Sequence, residues 1–173
     1  LITTLTPVPV YVVLAKALII SPLPRTNFSW SKLNVSPAGN GIELTTRHQS
    51  NNLKIQTGFA YQTLKNNSNP ATNSPHITGK LLIEDQIPST NFIISLNVLT
   101  TSNVYNSNYE KLSGYTTSNL ILTQNKFDEY GRLSLGIYNL FNRKYLVPNQ
   151  PSMLGQGIYQ DQRIARVKWD LKF

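Results

Sequence analysis

The sequence predicts an all-β protein made of antiparallel strands of a transmembrane β-barrel, with about seven or eight strands that form part of a barrel wall. Three observations predict this class: alternating polarity, connections that alternate between short and long, and aromatic residues near strand ends. In residues 163–173, RIARVKWDLKF, every second residue from Ala165 to Phe173 is apolar, and the residues between them are mostly charged. Successive side chains of a strand point to opposite faces, so one face of this strand is apolar. Alternation alone is equally typical of a soluble amphipathic strand.

The first 25 residues are unassigned. The prolines at positions 7, 9, 22 and 24 bracket the apolar run Val10–Ile20, and proline is excluded from the middle of a paired central strand. Residues 1–25 are therefore either one strand or a remnant of upstream sequence. The chain begins at Leu1 without a complete signal peptide, so we expect that it is not a complete precursor.

Four strands are predicted between residues 27 and 86. Asn27–Val35 is rich in aromatic and apolar residues, and the Pro-Ala-Gly-Asn sequence at 37–40 predicts a turn after it. Gly41–His48 and Leu53–Leu64 alternate cleanly, and the small inward residues of the latter, Gly58 and Ala60, would leave space in a lumen. His76–Gln86 follows a long polar loop.

The second half adds four more strands. Asn91–Thr101 and Gly131–Phe141 alternate regularly, whereas Gly114–Asn125 has an irregularity near Asn119 that predicts a slip of register. Arg163–Phe173 is the closing strand.

The connections between these strands are sorted by length. Short turns at 49–52, 88–90 and 126–130 alternate with the longer polar loops Lys65–Pro75, Ser102–Ser113 and Asn142–Gly157. Outer-membrane barrels have short periplasmic turns and longer extracellular loops. Aromatic residues near strand ends match the girdles at the two membrane interfaces, although strands are rich in aromatic residues in general. They are Trp30, Tyr61, Phe92, Tyr115, Tyr138, Phe141, Tyr159 and Phe173.

Composition argues against several other classes. Charged residues make up 14% of the chain, against about 25% in an ordinary soluble domain. The formal net charge of +8 is spread along strand-like segments with no basic cluster, so we expect no nucleic-acid partner. The chain has no cysteine, and its two histidines lack metal-ligand spacing to a carboxylate. No nucleophile, acid and base set occurs, so we expect no enzymatic activity, no metal site and no resident cofactor.

From residue 40 onward the chain resembles the C-terminal part of a TonB-dependent outer-membrane receptor. The strongest likeness is GRLSLGIYNLFNRKY at 131–145, where that family has Leu-Ser-Leu-Gly, then Asn-Leu-Phe, then Asn or Asp, a basic pair and Tyr. The terminal strand that ends at Phe173 also matches. Weaker likenesses are Gly41-Ile42-Glu43, Gly58-Phe59-Ala60-Tyr61 and Pro75-His76.

The resemblance implies that residues 26–173 are the C-terminal barrel portion of such a receptor in the bacterial outer membrane. Members of that family are barrels of about 22 strands with a plugged lumen, and they take up ferric siderophores, haem or cobalamin. The implied partners are outer-membrane lipid, a metal chelate or other small nutrient, and the barrel-assembly machinery through the strand ending at Phe173. An energy-transducing inner-membrane complex would act through an N-terminal region that this sequence lacks.

Candidate ligand contacts lie in the long loops, where aromatic and cationic residues occur together. They are Tyr105, Tyr109, Arg143, Lys144 and Tyr145. The same residues would also suit anchoring at the lipid interface. Two other functions remain open: a complete eight-stranded outer-membrane barrel that acts as an anchor or adhesin, and a soluble β-sandwich binding module.

Overall fold

The computed structural model describes residues 26–31, 39–66, 69–125, 131–149 and 156–171. Regular structure in these ranges is β-strand throughout. None of the described residues form a helix long and apolar enough to cross a membrane. The predictions for residues 1–25, for the turn at 126–130 and for Phe173 lie outside the described residues.

Thirteen strands occur among the described residues, eight long and five of two residues each. They are β1 Thr26–Ser31, β2 Gly39–Gln49, β3 Leu53–Asn66, β4 Asn69–Pro70, β5 Ile77–Gln86, β6 Phe92–Thr101, β7 Val104–Tyr105, β8 Lys111–Leu112, β9 Tyr115–Gln124, β10 Gly131–Tyr138, β11 Leu146–Val147, β12 Ile158–Tyr159 and β13 Ile164–Leu171.

The eight long strands form one antiparallel sheet in the order β1-β2-β3-β5-β6-β9-β10-β13, and β4 pairs antiparallel with the end of β3. The prediction of an all-β antiparallel fold is therefore confirmed. In the described part of the chain no backbone ladder joins β1 to β13, so these strands are the two edges of an open sheet.

Three local predictions were wrong. β10 ends at Tyr138 and a turn begins at Asn139, which has φ of 52°, so residues 139–141 do not continue the strand predicted for Gly131–Phe141. Gly39 and Asn40 continue β2, paired with Leu64 and Thr63, instead of forming a turn. No register slip occurs near Asn119, because the ladder between β6 and β9 runs unbroken from one end to the other. The polar side chain of Asn119 falls on the polar face, in phase with its neighbours.

One face of the sheet is apolar, and this surface is called the apolar face below. The register of the ladders places its members on the same side. It consists chiefly of Ile42, Leu44, Ile55, Phe59, Tyr61, Ile77, Leu81, Ile83, Ile94, Leu96, Val98, Leu120, Leu122, Leu133, Leu135, Ile137, Ala165, Val167, Trp169 and Leu171. In β2, in residues 53–64 of β3, and in β5, β6, β9, β10 and β13, Asp85 is the one Asp, Glu, Lys or Arg on this face. Side chains on it are well exposed, with Leu135 at 49% and Val167 at 71%.

The opposite face is polar and carries six cations and three carboxylates among the described strand residues. They are Arg47, Lys54, Lys80, Arg132, Arg166 and Lys168, with Glu43, Glu84 and Asp170. Lys54 Nζ lies 2.6 Å from Glu84 Oε2, and the Arg166 guanidinium stacks 5.0 Å above the Tyr138 ring. An open depression of about 520 Å³ on this face is lined in part by Gly58.

Short and long connections lie at opposite ends of the sheet. Residues 50–52 and 87–91 make short turns at one end, called the turn end. Residues 71–76, 102–114, 139–149 and 156–163 meet at the other end, the loop end. Val104 and Leu112 have the least exposed apolar side chains among the described residues. They lie in the short β7–β8 hairpin at the loop end and not in the eight-stranded sheet. The sheet is thus a single layer, and the compact packing is at its loop end.

Candidate ligand-binding loop cluster

The described residues of 71–76, 102–114, 139–149 and 156–163 pack together and are called the loop cluster. Its first unit is the β7–β8 hairpin, which is built around Asn106. This side chain is fully buried, and its amide oxygen accepts hydrogen bonds from the backbone N–H groups of Asn108 and Glu110, both at 2.9 Å. Its amide nitrogen donates to Glu110 Oε2 at 2.9 Å. An asparagine that folds the backbone back onto its own side chain fixes a turn in this way.

The hairpin is tied to the two neighbouring loops. The Asn106 amide nitrogen also donates to the Gln156 carbonyl at 2.8 Å, and the Asn73 N–H donates to the Tyr105 carbonyl at 2.7 Å. Leu112 lies against the backbone at Gly157, where a Cβ atom would come within 3.2 Å of the Leu112 side chain. These contacts make the three loops one layer.

A second asparagine turn follows β10, in the Asn-Leu-Phe-Asn segment that carries the family resemblance. Asn139 and Asn142 both have left-handed backbone conformations, with φ of 52° and 54°. The Asn139 side chain accepts a bond from Arg143 N–H at 2.8 Å, and it donates to the carbonyls of Arg143 at 2.8 Å and Asp161 at 3.1 Å. Asn142 Oδ1 accepts a bond from Arg163 N–H at 2.9 Å. The two asparagines therefore fasten both ends of the longest loop to β10.

Tyr105 and Tyr109 lie in the hairpin. Tyr105 is half-buried in β7, where its backbone bridges to Thr72. Tyr109 is at the tip with φ of 60°, and half of its side-chain surface is exposed. Tyr109 is therefore available to a ligand above the cluster, and Tyr105 is the less accessible of the two.

Arg143, Lys144 and Tyr145 lie in the adjacent loop, so the structure divides the five predicted residues between two places. Arg143 and Lys144 are exposed. Tyr145 is half-buried and stacks on Tyr115, with ring centroids 4.0 Å apart. Arg143 lines a second depression, of about 310 Å³, together with Tyr115 and four small or hydroxyl-bearing residues. These four are Thr100, Thr101, Gly114 and Thr116.

Burial raises the pKa of the Tyr145 phenol, and the nearby Tyr115 and Asp161 raise it further. The folded protein therefore favours the neutral phenol. We expect its contribution to stability to be unchanged below the ordinary tyrosine pKa of about 10 and to be lost as pH rises from there through the folded value.

We predict that Tyr145→Phe reduces the alkaline loss of stability. The measurement is the urea midpoint of wild type and variant at about pH 8 and about pH 11, on either side of the ordinary phenol pKa. Tyr159→Phe, at a tyrosine 78% exposed, is the matched control and should behave like wild type. Equal alkaline losses in wild type and Tyr145→Phe would contradict the assignment.

The described histidines and carboxylates do not gather into a metal centre. Among the described residues there is no group of three His, Asp or Glu side chains that could hold a metal ion. His76 Nδ1 lies 2.9 Å from the Gln62 carbonyl, which ties the start of β5 to β3.

Sequence reasoning missed the asparagines that hold the loops. Asn106 and Asn139 are among the most buried polar residues described, yet in the sequence they stand in polar, loop-like segments. The available signal was local: Asn-Ser-Asn-Tyr-Glu at 106–110 is a turn composition in which an asparagine can bond to backbone two and four residues ahead. Tyr115, the stacking partner of Tyr145, was expected only as a girdle residue.

Neither a scan against protein-family models nor a search of curated proteins finds a match for this chain. Function is therefore inferred from the geometry of the sheet and of the loop cluster.

Proposed function

We propose that this chain forms part of the wall of an outer-membrane β-barrel that acts as a TonB-dependent receptor for a scarce nutrient. The apolar face contacts lipid, the polar face lines the interior, and the loop cluster faces outward. Ferric siderophores, haem and cobalamin are the nutrient classes implied by the resemblance around the Asn-Leu-Phe-Asn segment.

The position of the apolar residues along the strands changes between β2 and β13. This change, called the drift below, is the observation on which the membrane assignment depends. One hydrogen-bonded row of the ladders runs through His48, Ile55, Ile83, Leu96, Leu120, Ile137 and Ala165. On β2 this row lies beyond the apolar pair Ile42 and Leu44, toward the turn end. On β13 the same row passes through Ala165, the first apolar residue on this face. The apolar residues of β13 continue from there toward the turn end, as far as Leu171. Between β2 and β13 the apolar segment therefore shifts toward the turn end.

This drift has the size expected of tilted transmembrane strands. Its centre moves from between Ile42 and Leu44 to between Val167 and Trp169, which is four rows, or about eight residues, over six strand-to-strand steps. With a rise of about 3.3 Å per residue and about 4.8 Å between strands, the apolar residues form a level belt when the strands are inclined by about 40°. Barrel strands tilt by about 35–45°. A sheet that packs on a soluble core has no need of such a belt.

The charge of the polar face supports an anionic cargo. Its described strand residues include six cations and only three carboxylates, so positive charge is in excess. A low-dielectric wall strengthens the electric field of the unpaired cations. Exposed Tyr109 at the hairpin tip would meet the ligand first.

Cysteine labelling tests the membrane assignment, because the chain has no cysteine and each introduced thiol is unique. We expect Leu135→Cys, in the full chain reconstituted in phosphatidylcholine vesicles, to resist a membrane-impermeant maleimide. Tyr109→Cys, in the loop cluster, should react rapidly in the same preparation. Fast reaction at both positions would contradict lipid contact by the apolar face.

Nutrient binding is tested on the reconstituted full chain by titration with a ferric siderophore, haem and cobalamin. We expect one of them to bind and Tyr109→Ala to weaken it by about tenfold, the loss typical of a truncated aromatic contact. Tyr159→Ala, at another exposed loop tyrosine, is the matched control. Absence of binding by all three would reject nutrient binding by this part of the wall, and an equal effect of the two substitutions would reject a ligand contact at Tyr109. Neither outcome bears on the membrane assignment, which the labelling result decides.

The eight long strands favour a second candidate, a complete eight-stranded barrel that serves as an anchor or adhesin. In that case β1 and β13 pair with each other. A cross-link between single cysteines at Ser31 and Lys168, two positions on the polar face, formed within one monomer, would select this function over the receptor.

A further inference from the structure

We infer that Arg143, together with the hydroxyl groups of Thr100 and Thr116, binds the phosphate of an anionic membrane lipid at the loop end of the apolar face. The inference rests on the proposed membrane assignment, since it needs lipid against that face. It does not depend on which nutrient the loops bind.

The two threonines form a hydroxyl pair at the border of the apolar face. Thr100 and Thr116 are directly opposite each other in the β6–β9 ladder, and Thr116 Oγ1 donates to Thr100 Oγ1 at 2.8 Å. Val98 lies on the same side two residues toward the turn end, and the paired Leu96 and Leu120 follow. The hydroxyl pair is thus where the belt changes from hydrocarbon to polar groups, which is the level of lipid headgroups.

Arg143 supplies the charge at this border. It lines the depression of about 310 Å³ that both threonines also line, and no carboxylate contributes to that lining. Thr101 and Tyr115, from the polar face, line it as well, so the depression lies across the loop end of β6 and β9. None of the ion pairs among the described residues involves Arg143. A guanidinium presents a planar fork of donors that matches the oxygens of a phosphate.

The backbone of Arg143 is held in place for this role. Asn139 accepts a bond from its N–H and donates to its carbonyl, each at 2.8 Å, so the start of the side chain is fixed relative to the sheet. Phe141, two residues earlier, is 77% exposed, and exposed aromatic rings are favoured at the membrane interface. A cation, a hydroxyl pair and an aromatic ring at the edge of an apolar belt favour a lipid over a soluble anion.

The test measures lipid bound to the full chain in maltoside detergent by native mass spectrometry. The probes are phosphatidic acid and phosphatidylcholine of the same acyl chains. We expect wild type to retain phosphatidic acid in preference, and Arg143→Gln to lower that preference by about tenfold, the effect of losing a charge-assisted bond. Lys144→Gln removes a neighbouring exposed cation outside the lining and should leave the preference unchanged. Thr116→Val should lower it by a smaller factor.

Three outcomes overturn the inference. Equal losses for Arg143→Gln and Lys144→Gln would show a general charge effect. Displacement of phosphatidic acid by an equal concentration of inorganic phosphate would show a site for the free anion. Weaker nutrient binding by Arg143→Gln, with lipid retention unchanged, would assign the depression to the receptor site.

A separate measurement, the quenching of tryptophan fluorescence, distinguishes failure of the phosphate site from failure of the membrane assignment. Trp30→Phe leaves Trp169 as the single tryptophan, and Trp169 is on the apolar face. Quenching of Trp169 by brominated acyl chains, combined with no effect of Arg143→Gln, rejects the phosphate site alone. Absence of quenching rejects both.

Discussion

Leu135→Arg should lower the free energy of unfolding of the vesicle-reconstituted chain by about 2–4 kcal/mol, the cost of a cation on the lipid face near the bilayer midplane. Leu135 lies in the middle of the apolar face, paired with Leu122 on one side and Val167 on the other. Because its side chain is 49% exposed, the same substitution in a sheet surrounded by water would cost little. Equilibrium unfolding by guanidinium in phosphatidylcholine vesicles measures the difference.

Ser134→Arg is the matched control, since it places the same side chain on the polar face one residue away. It breaks the hydrogen bond of 3.1 Å between the Ser134 and Thr123 hydroxyls, so a cost of about 1 kcal/mol is expected. A Leu135→Arg cost no greater than that of Ser134→Arg would mean that the apolar face does not contact acyl chains.

Asn139→Ala should destabilise the loop cluster by about 4 kcal/mol: about 3 from its lost hydrogen bonds and about 1 from alanine in a left-handed conformation. Asn139 is 6% exposed and bonds three backbone groups, the N–H and carbonyl of Arg143 and the carbonyl of Asp161, and alanine would leave all three without this partner. We expect a lower guanidinium midpoint and faster trypsin cleavage after Arg143 and Lys144.

Asn139→Gly separates the two contributions, because glycine adopts the positive φ without a Cβ penalty. It should lose about 3 kcal/mol, with Asn139→Ala lower still. If both variants match wild type in midpoint and in trypsin sensitivity, the Asn139 bonds do not hold the loop.

The strands were predictable because polarity alternates along them. The register could be inferred only where one face is uniformly apolar, since a shift by one residue would turn every side chain to the other face. Near Asn119 the sequence Ser-Asn-Leu-Ile-Leu has an apolar residue, Ile121, on the polar face. This interrupts the alternation of polarity in the same way as a shift of the strand register would. The ladder with β6 keeps its phase because Leu120 and Leu122 remain opposite Leu96 and Ile94.

The loop cluster was harder to predict because its order comes from contacts between segments distant in the sequence. Asn106 bonds Gln156, and Tyr115 stacks on Tyr145, across intervals that no local pattern encodes. The five candidate residues are aromatic or cationic residues of loop segments. Composition could identify them, but it could not show that they divide between a hairpin and a separate depression.

The inclination of the strands sets how much perimeter this wall can supply. At about 40° and about 4.8 Å spacing, each strand covers about 6 Å of circumference, so eight strands cover about 50 Å. Closed on itself, that length makes a cylinder only about 16 Å across at the backbone, which inward arginine, lysine and tyrosine side chains would fill. A cylinder of that width suits an anchor, whereas the passage of a chelate requires a circumference to which further strands contribute.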